Sequence, residues 1–124
     1  MIEVIKTDKA PAAIGPYSQG AVAGGLVFVS GQLPINPANG EMETDAARAA
    51  DQSLKNIAAI LEAKGVGMGN VVKVNIFLAS MDDFAAVNDV YAKHFAEPFP
   101  ARACVAVKTL PKNAVLEIEA VAAL

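Results

Sequence analysis

Two hydrophobic rhythms share this chain, and the order in which they alternate is its tightest structural constraint. Ala47, Ala50, Leu54, Ile57 and Leu61 recur at steps of three and four, while Arg48, Asp51, Lys55 and Glu62 fall mostly between them. That is the stripe of an amphipathic helix over Thr44–Lys64, with Thr44 placed to cap its start and Gly65 to close its end. Phe84, Val87, Tyr91 and Phe95 repeat the stripe in a second helix, Met81–Phe95, ended by Pro98 and Pro100. Ser80-Met81-Asp82-Asp83 opens it in a capping-box pattern, the hydroxyl reaching forward to the first-turn N–H groups. Between the helices, past a turn marked by Gly65, Gly67 and Gly69, the period drops to two over Val71–Ala79. Val72, Val74, Ile76 and Leu78 then share one face of a strand, and Lys73 and Asn75 the other.

Shorter extended runs flank this middle section. Ile2–Lys6 alternates loosely, and Ala10–Pro16 is an irregular connection. Runs at Ser18–Ala23 and Leu26–Ser30 meet at Gly24-Gly25, a dipeptide that permits the positive φ of a tight hairpin. Gly31–Glu43 is a loop, and strands at Arg102–Lys108 and Val115–Ala123 are joined by Thr109–Ala114. The order β-β-β-α-β-α-β-β predicts one α+β domain spanning residues 1–124, a mixed sheet with both helices packed on one face. The other face needs a cover, and a second subunit is the expected one.

Composition narrows the function. Residues of the AVILMFWYC set make up 54% and charged residues 19%, which excludes intrinsic disorder and leaves an apolar surplus suited to subunit contacts. No apolar run nears the ~20 residues of a membrane-spanning helix, and the N-terminus lacks a secretory pattern, so a cytoplasmic protein is expected. The net charge is −3 and the cations are scattered, which argues against nucleic-acid binding. One Cys and one His can form neither an internal disulfide nor a Cys/His zinc site. A Ser–His–Asp triad would have to use His94, and no G-x-S-x-G elbow is present. No metal and no cofactor are expected.

Chemistry concentrates near the C-terminus. Period-two geometry places Arg102, Cys104 and Ala106 on one strand face and Glu117 and Glu119 on one face of the next. Antiparallel pairing about Leu110-Pro111 would set Cys104 opposite Glu117 and Arg102 opposite Glu119. A guanidinium fork for a substrate carboxylate and a carboxylate to orient or deprotonate water would then share one side of the sheet. The competing reading is a cross-strand ion pair. Other residues carry competing readings too: Cys104 as a small core hydrophobe, Tyr17 as a turn anchor, Asn88 as a helix-edge hydrogen-bonder and Ser30 as a turn residue. His94 reads as a surface residue favoured by the helix dipole, and Glu119 as a structural or interface carboxylate.

Pro100-Ala101-Arg102-x-Cys104-Val105, then Leu110-Pro111-Lys112 and Leu116-Glu117-Ile118-Glu119-Ala120, closely resembles the signature of the RidA (YjgF) family. The resemblance extends through Ala10-Pro11-Ala12-Ala13-Ile14-Gly15-Pro16-Tyr17, Ser30-Gly31-Gln32 and Val87-Asn88, essentially the whole chain. It implies a chorismate-mutase-like fold, a homotrimer with active sites between subunits, and an enamine/imine deaminase. The implied substrates are 2-iminobutanoate and 2-iminopropanoate, released by pyridoxal-phosphate-dependent threonine and serine dehydratases and hydrolysed to 2-keto acids. By the same resemblance, Arg102 clamps the substrate carboxylate, and Glu117 with the Cys104 carbonyl holds the attacking water. Tyr17, Ser30, Gly31 and Asn88 line the pocket, some from a neighbouring subunit. The connection His94–Pro100 is a few residues shorter than in those deaminases, a departure that bears on substrate size. Two other functions go with the family. One is a regulatory or protein-binding module that senses a small ligand, against which the presence of Glu117 argues. The other is a ribonuclease or translation inhibitor, which an acidic chain without a paired catalytic histidine supports poorly.

Overall fold

The computed structural model describes residues 2–124. Its strands are β1 (Glu3–Ile5), β2 (Gly20–Ala23), β3 (Leu26–Gln32), β4 (Val71–Leu78), β5 (Ala101–Ala106) and β6 (Leu116–Ala123), and its helices are α1 (Ala46–Ala63) and α2 (Phe84–His94). The six strands form one mixed sheet in the order β1-β2-β3-β6-β4-β5. All neighbours run antiparallel except β4 and β5, which are parallel. The element order and the α+β class are those expected from the sequence.

Local chemistry sets the boundaries. The β2–β3 hairpin turns on Gly24 and Gly25 at φ +62° and +78°, a conformation in which a Cβ is strained. Asp45, not Thr44, caps α1: its carboxylate accepts from the Arg48 N–H at 3.1 Å, so the helix starts one turn-residue later than predicted. Gly65 closes the same helix at φ +78°. Ser80 accepts from the Asp82 N–H as expected, but through a 3₁₀ turn (Met81–Asp83) that precedes α2.

Helix α1 lays Leu54, Ile57, Ile60 and Leu61 over Val27, Val74, Ile76, Leu116 and Ile118, all essentially fully buried. At roughly 1.5–3 kcal/mol per large side chain, this stripe is the main stabilising contact of the fold. Val72 departs from the predicted alternation. A register shift between Val71 and Lys73 makes it the extra residue of a bulge, so Val71 is buried and Val72 exposed. Helix α2 is packed more thinly, burying Val87 and Tyr91, with Phe95 just beyond its end.

The far side of the sheet has no cover among the described residues. Val4, Phe28 and Val105 are exposed there, and β5 is exposed along most of its length. An unpaired, partly apolar edge strand is usually shielded by another segment or another chain.

Candidate active site: two half-sites on opposite faces

The predicted pairing of the Arg strand with the Glu strand does not occur. β4 lies between them: Val74 pairs with Arg102 and Ile76 with Cys104 on one side, while Asn75 pairs with Glu119 and Phe77 with Glu117 on the other. The physical reason is the intervening helix. A crossover through α2 returns the chain parallel to β4, and the loop at Pro111–Asn113 then carries it over to the opposite edge of the same strand. Paired residues share a face. Arg102 and Cys104 therefore point with Val74 and Ile76 toward the helices, and Glu117 and Glu119 point with Phe77 and Asn75 to the uncovered side. Within one chain the guanidinium and the carboxylate cannot meet, and the cross-strand ion pair is excluded by the same geometry.

The first half-site is built on Arg102. Its Nη1 donates to Asn88 Oδ1 at 2.8 Å, and its guanidinium carbon lies 4.7 Å from the Tyr91 ring centroid and 5.7 Å from that of Phe84. α2 thus supplies an acceptor and two π faces that fix the fork in place. Among the described residues no carboxylate pairs with it, and its remaining N–H donors face a depression of about 440 Å³ shared with Asn88, Phe99 and Pro100. A guanidinium held in this way keeps donors free to receive an anion.

Cys104 adds its backbone. The Val107 N–H donates to Leu78 O, so alternation along an extended strand turns the peptide groups of Val105 and Ala103 toward β4. Those of Arg102 and Cys104 point to the free edge. The Cys104 carbonyl is accordingly available to a water or a ligand. Its thiol packs against the core, and burial pushes its pKa up, the opposite of what a nucleophilic thiolate requires.

The second half-site lies on the other face, where a groove of about 760 Å³ gathers Tyr17, Ser30, Gly31, Glu117, Glu119 and Lys112. A bulge creates it: Val29 pairs with Ala120 and Gln32 with Ile118, so Ser30 and Gly31 together oppose one residue of β6. Gly31 makes room for the Glu117 carboxyl. A Cβ there would stand 2.8 Å from Glu117 Cδ, so the carboxyl lies directly on the glycine. Burial raises the Glu117 pKa, and the nearby Glu119 charge adds to the rise. Asn75 Nδ2 donates to Glu119 Oε2 at 3.0 Å. Ser30 spends its hydroxyl proton on the Ser18 carbonyl, leaving its oxygen as an acceptor. Tyr17 is half exposed at the rim.

The sequence-derived residues therefore fall into two sets, Asn88, Arg102 and Cys104 on one and Tyr17, Ser30, Gly31 and Glu117 on the other. His94 belongs to neither. It is mostly buried, and its Nε2 lies 2.8 Å from Asp51 Oδ1 across the α1–α2 seam, so it is not a free surface residue. Several supporting residues escaped the sequence reading. Gln19, buried, bonds to Thr7, Ala10 and Pro11 and fastens the segment that carries Tyr17. Asn56, buried in α1, donates to the Leu33 and Ile35 carbonyls and fastens the loop forming the groove's far wall. Both carry a signal that can be read: an amide set into an otherwise apolar pattern must find partners.

An α+β chain with an unpaired arginine on one face of its sheet and a partly buried glutamate on the other has the outline of a small-molecule-acting protein. A family model described as Endoribonuclease L-PSP matches residues 7–124. The 2-iminobutanoate/2-iminopropanoate deaminase of Escherichia coli K12 is 49% identical over 125 residues, covering 98% of each chain. A RutC family protein of Sinorhizobium fredii is 52% identical over 125 residues, covering all of this chain and 99% of that one. Among solved structures, RidA from an Antarctic Psychrobacter superposes with a TM-score of 0.95 at 44% identity over 98% of this chain and 99% of that one. E. coli TdcF with bound serine does so with a TM-score of 0.93 at 44% identity, covering 98% of each. The chain belongs to this family, the RidA (YjgF) family of Rid proteins.

Proposed function

We propose that this protein hydrolyses 2-iminobutanoate and 2-iminopropanoate to the corresponding 2-keto acids and ammonia, in sites assembled from two copies of the chain. The observation that carries the reading is the split itself: a held, unpaired guanidinium and a groove-lining carboxylate of raised proton affinity, on opposite faces of one sheet. Each half is what the other lacks. An arrangement in which the Arg102 face of one copy meets the Glu117 face of the next is head-to-tail; with a rotation of one third of a turn per copy it closes into a homotrimer with three sites. The free β5 edge and the exposed Phe28 and Val105 supply apolar surface for that contact.

The chemistry asks little beyond positioning. Arg102 grips the substrate carboxylate with its fork. The C2 carbon of the protonated imine is already electrophilic, so neither a metal nor a covalent nucleophile is needed. A water held between Glu117 and the Cys104 carbonyl attacks C2, and its proton passes to Glu117 as the C–O bond forms. The proton then returns from Glu117 to the nitrogen; as the C–N bond breaks, the new hydroxyl gives up its proton through Glu117 to the departing ammonia, so the carbonyl forms and ammonium leaves. Iminium and water in, keto acid and ammonium out, the charges balance. Holding the partners in line supplies much of the rate. The deaminase name of a relative at 49% identity supports the substrate class, and the serine in TdcF supports an amino-acid-like carboxylate as ligand.

A coupled assay tests the reading. Threonine dehydratase generates the imine, and keto-acid formation is followed with and without this protein. Acceleration is expected; an unchanged rate rejects the deaminase. The serine complex of TdcF also fits a ligand-sensing module, for which the protein would bind a small 2-keto acid and leave the imine's lifetime unaltered. The ribonuclease reading carried by the family description finds no pair of histidines here, since the chain has one and it contacts Asp51.

A further inference from the structure

We propose that Glu119, fastened by the Asn75 amide, is a positioning residue whose fixed negative charge makes Glu117 the proton-accepting member of a carboxylate pair. The inference rests on the role given to Glu117 above. Two carboxylates two residues apart on β6 point to the same face and line the same groove. They differ in their surroundings. Glu119 accepts a hydrogen bond from Asn75 Nδ2 at 3.0 Å, which holds its carboxylate in place on the groove wall. Glu117 has no hydrogen-bond or salt-bridge partner among the described residues and lies against the backbone of Gly31. One carboxylate is therefore held by a donor and the other, more enclosed, has none, so Glu117 is the member free to take a proton.

Other charges do not undo this. Lys112 lies at the groove's rim and Lys73 on the same face of β4, and neither pairs with either carboxylate. β3 brings Ser30 and Gly31, and β5 brings Ala103 and Val105, none of them charged. The direction of the Glu117 pKa agrees, with burial the larger cause and Glu119 the second. For water attack the consequence is direct, because a base competes for the departing proton better as its own proton affinity approaches the working pH.

The test is carbon-13 NMR titration of the Glu117 carboxyl in the full-length protein, with Glu119→Gln as the first variant and Asn75→Ala as the second. Glu119→Gln keeps the volume and removes the charge, and the Glu117 midpoint should move to lower pH. In Asn75→Ala the Glu119 carboxylate is no longer held beside Glu117, and the Glu117 midpoint should move in the same direction by a smaller amount. The acid limb of the kcat/KM profile should follow the Glu117 midpoint downward in Glu119→Gln, with less than the ~100-fold loss that removal of a general base produces. A Glu117 midpoint unmoved in Glu119→Gln overturns the proposal, as does one unmoved in Asn75→Ala. If the midpoints move in a protein that leaves the imine untouched, the pairing stands and the deaminase reading alone falls.

Discussion

Arg102 and Glu117 are separated by a single strand and by the full thickness of the sheet. β4 pairs with both of their strands, yet one side chain points to the helices and the other into the groove on the uncovered face. Every functional expectation for this protein is constrained by that relationship, because no rotamer of either residue carries it through the sheet. Two copies are the smallest assembly in which they can address one substrate.

Arg102 is the first target. Arg102→Ala removes the fork while leaving α2 in place, and kcat/KM in the coupled imine assay should fall by about 100-fold or more. Arg102→Lys keeps the charge and loses the planar pair of donors, so it should recover only part of that loss. Full activity in Arg102→Lys would show that charge alone is enough.

Gly31→Ala tests the groove by contact. The added Cβ would sit 2.8 Å from Glu117 Cδ, and the flexible carboxyl, not the backbone, must give way. The circular dichroism spectrum should be unchanged, while kcat/KM drops by about 100-fold, the scale expected when a catalytic group is displaced by an ångström.

Glu117 trades stability for function. Its folded-state pKa is raised by burial and by Glu119. The native state therefore binds that proton more tightly than the unfolded chain, and the stability this contributes is present at low pH and lost as pH rises through the folded pKa. Glu117→Gln should raise the Tm by a few degrees at neutral pH, with the gain shrinking toward acid, while hydrolysis is strongly impaired. Equal Tm values at neutral pH would place the carboxyl in free solvent.

The Asp51–His94 contact is expected to be structural. Lys55 first, and His94 as well, hold the Asp51 carboxyl below its usual range against the opposing effect of burial. Its contribution is present at neutral pH and lost as pH falls through the lowered pKa. With Asp51 substantially exposed, His94→Gln should cost about 0–1 kcal/mol in urea denaturation and leave imine hydrolysis unchanged.

The elements were legible in the sequence because each follows from a local rule. The stripe through Leu54, Ile57 and Leu61 forms α1, and Gly24-Gly25 turns the hairpin. The neighbour relations were not. Strands adjacent in sequence often pair, and a short connection at Thr109–Ala114 invites that reading for β5 and β6. Nothing local reveals that the crossover through α2 leaves β5 parallel to β4, with β6 on the other side. The candidate residues could be found from sequence, but the face each occupies depends on that long-range choice. Likewise the bulge at Val72 reverses the expected exposure of one valine without any Gly or Pro to announce it.

Mixing two inactive variants tests the shared site most directly. Arg102→Ala and Glu117→Gln are each expected to be inactive, with each keeping the half-site the other has lost. Unfolded together in equal amounts and refolded, they form mixed rings in which half of the Arg102 faces and half of the Glu117 faces are intact. Random pairing then restores about one quarter of the wild-type rate, one half times one half, for a head-to-tail assembly. No recovery, in a mixture that native mass spectrometry shows to have co-assembled, would contradict a site built from two copies.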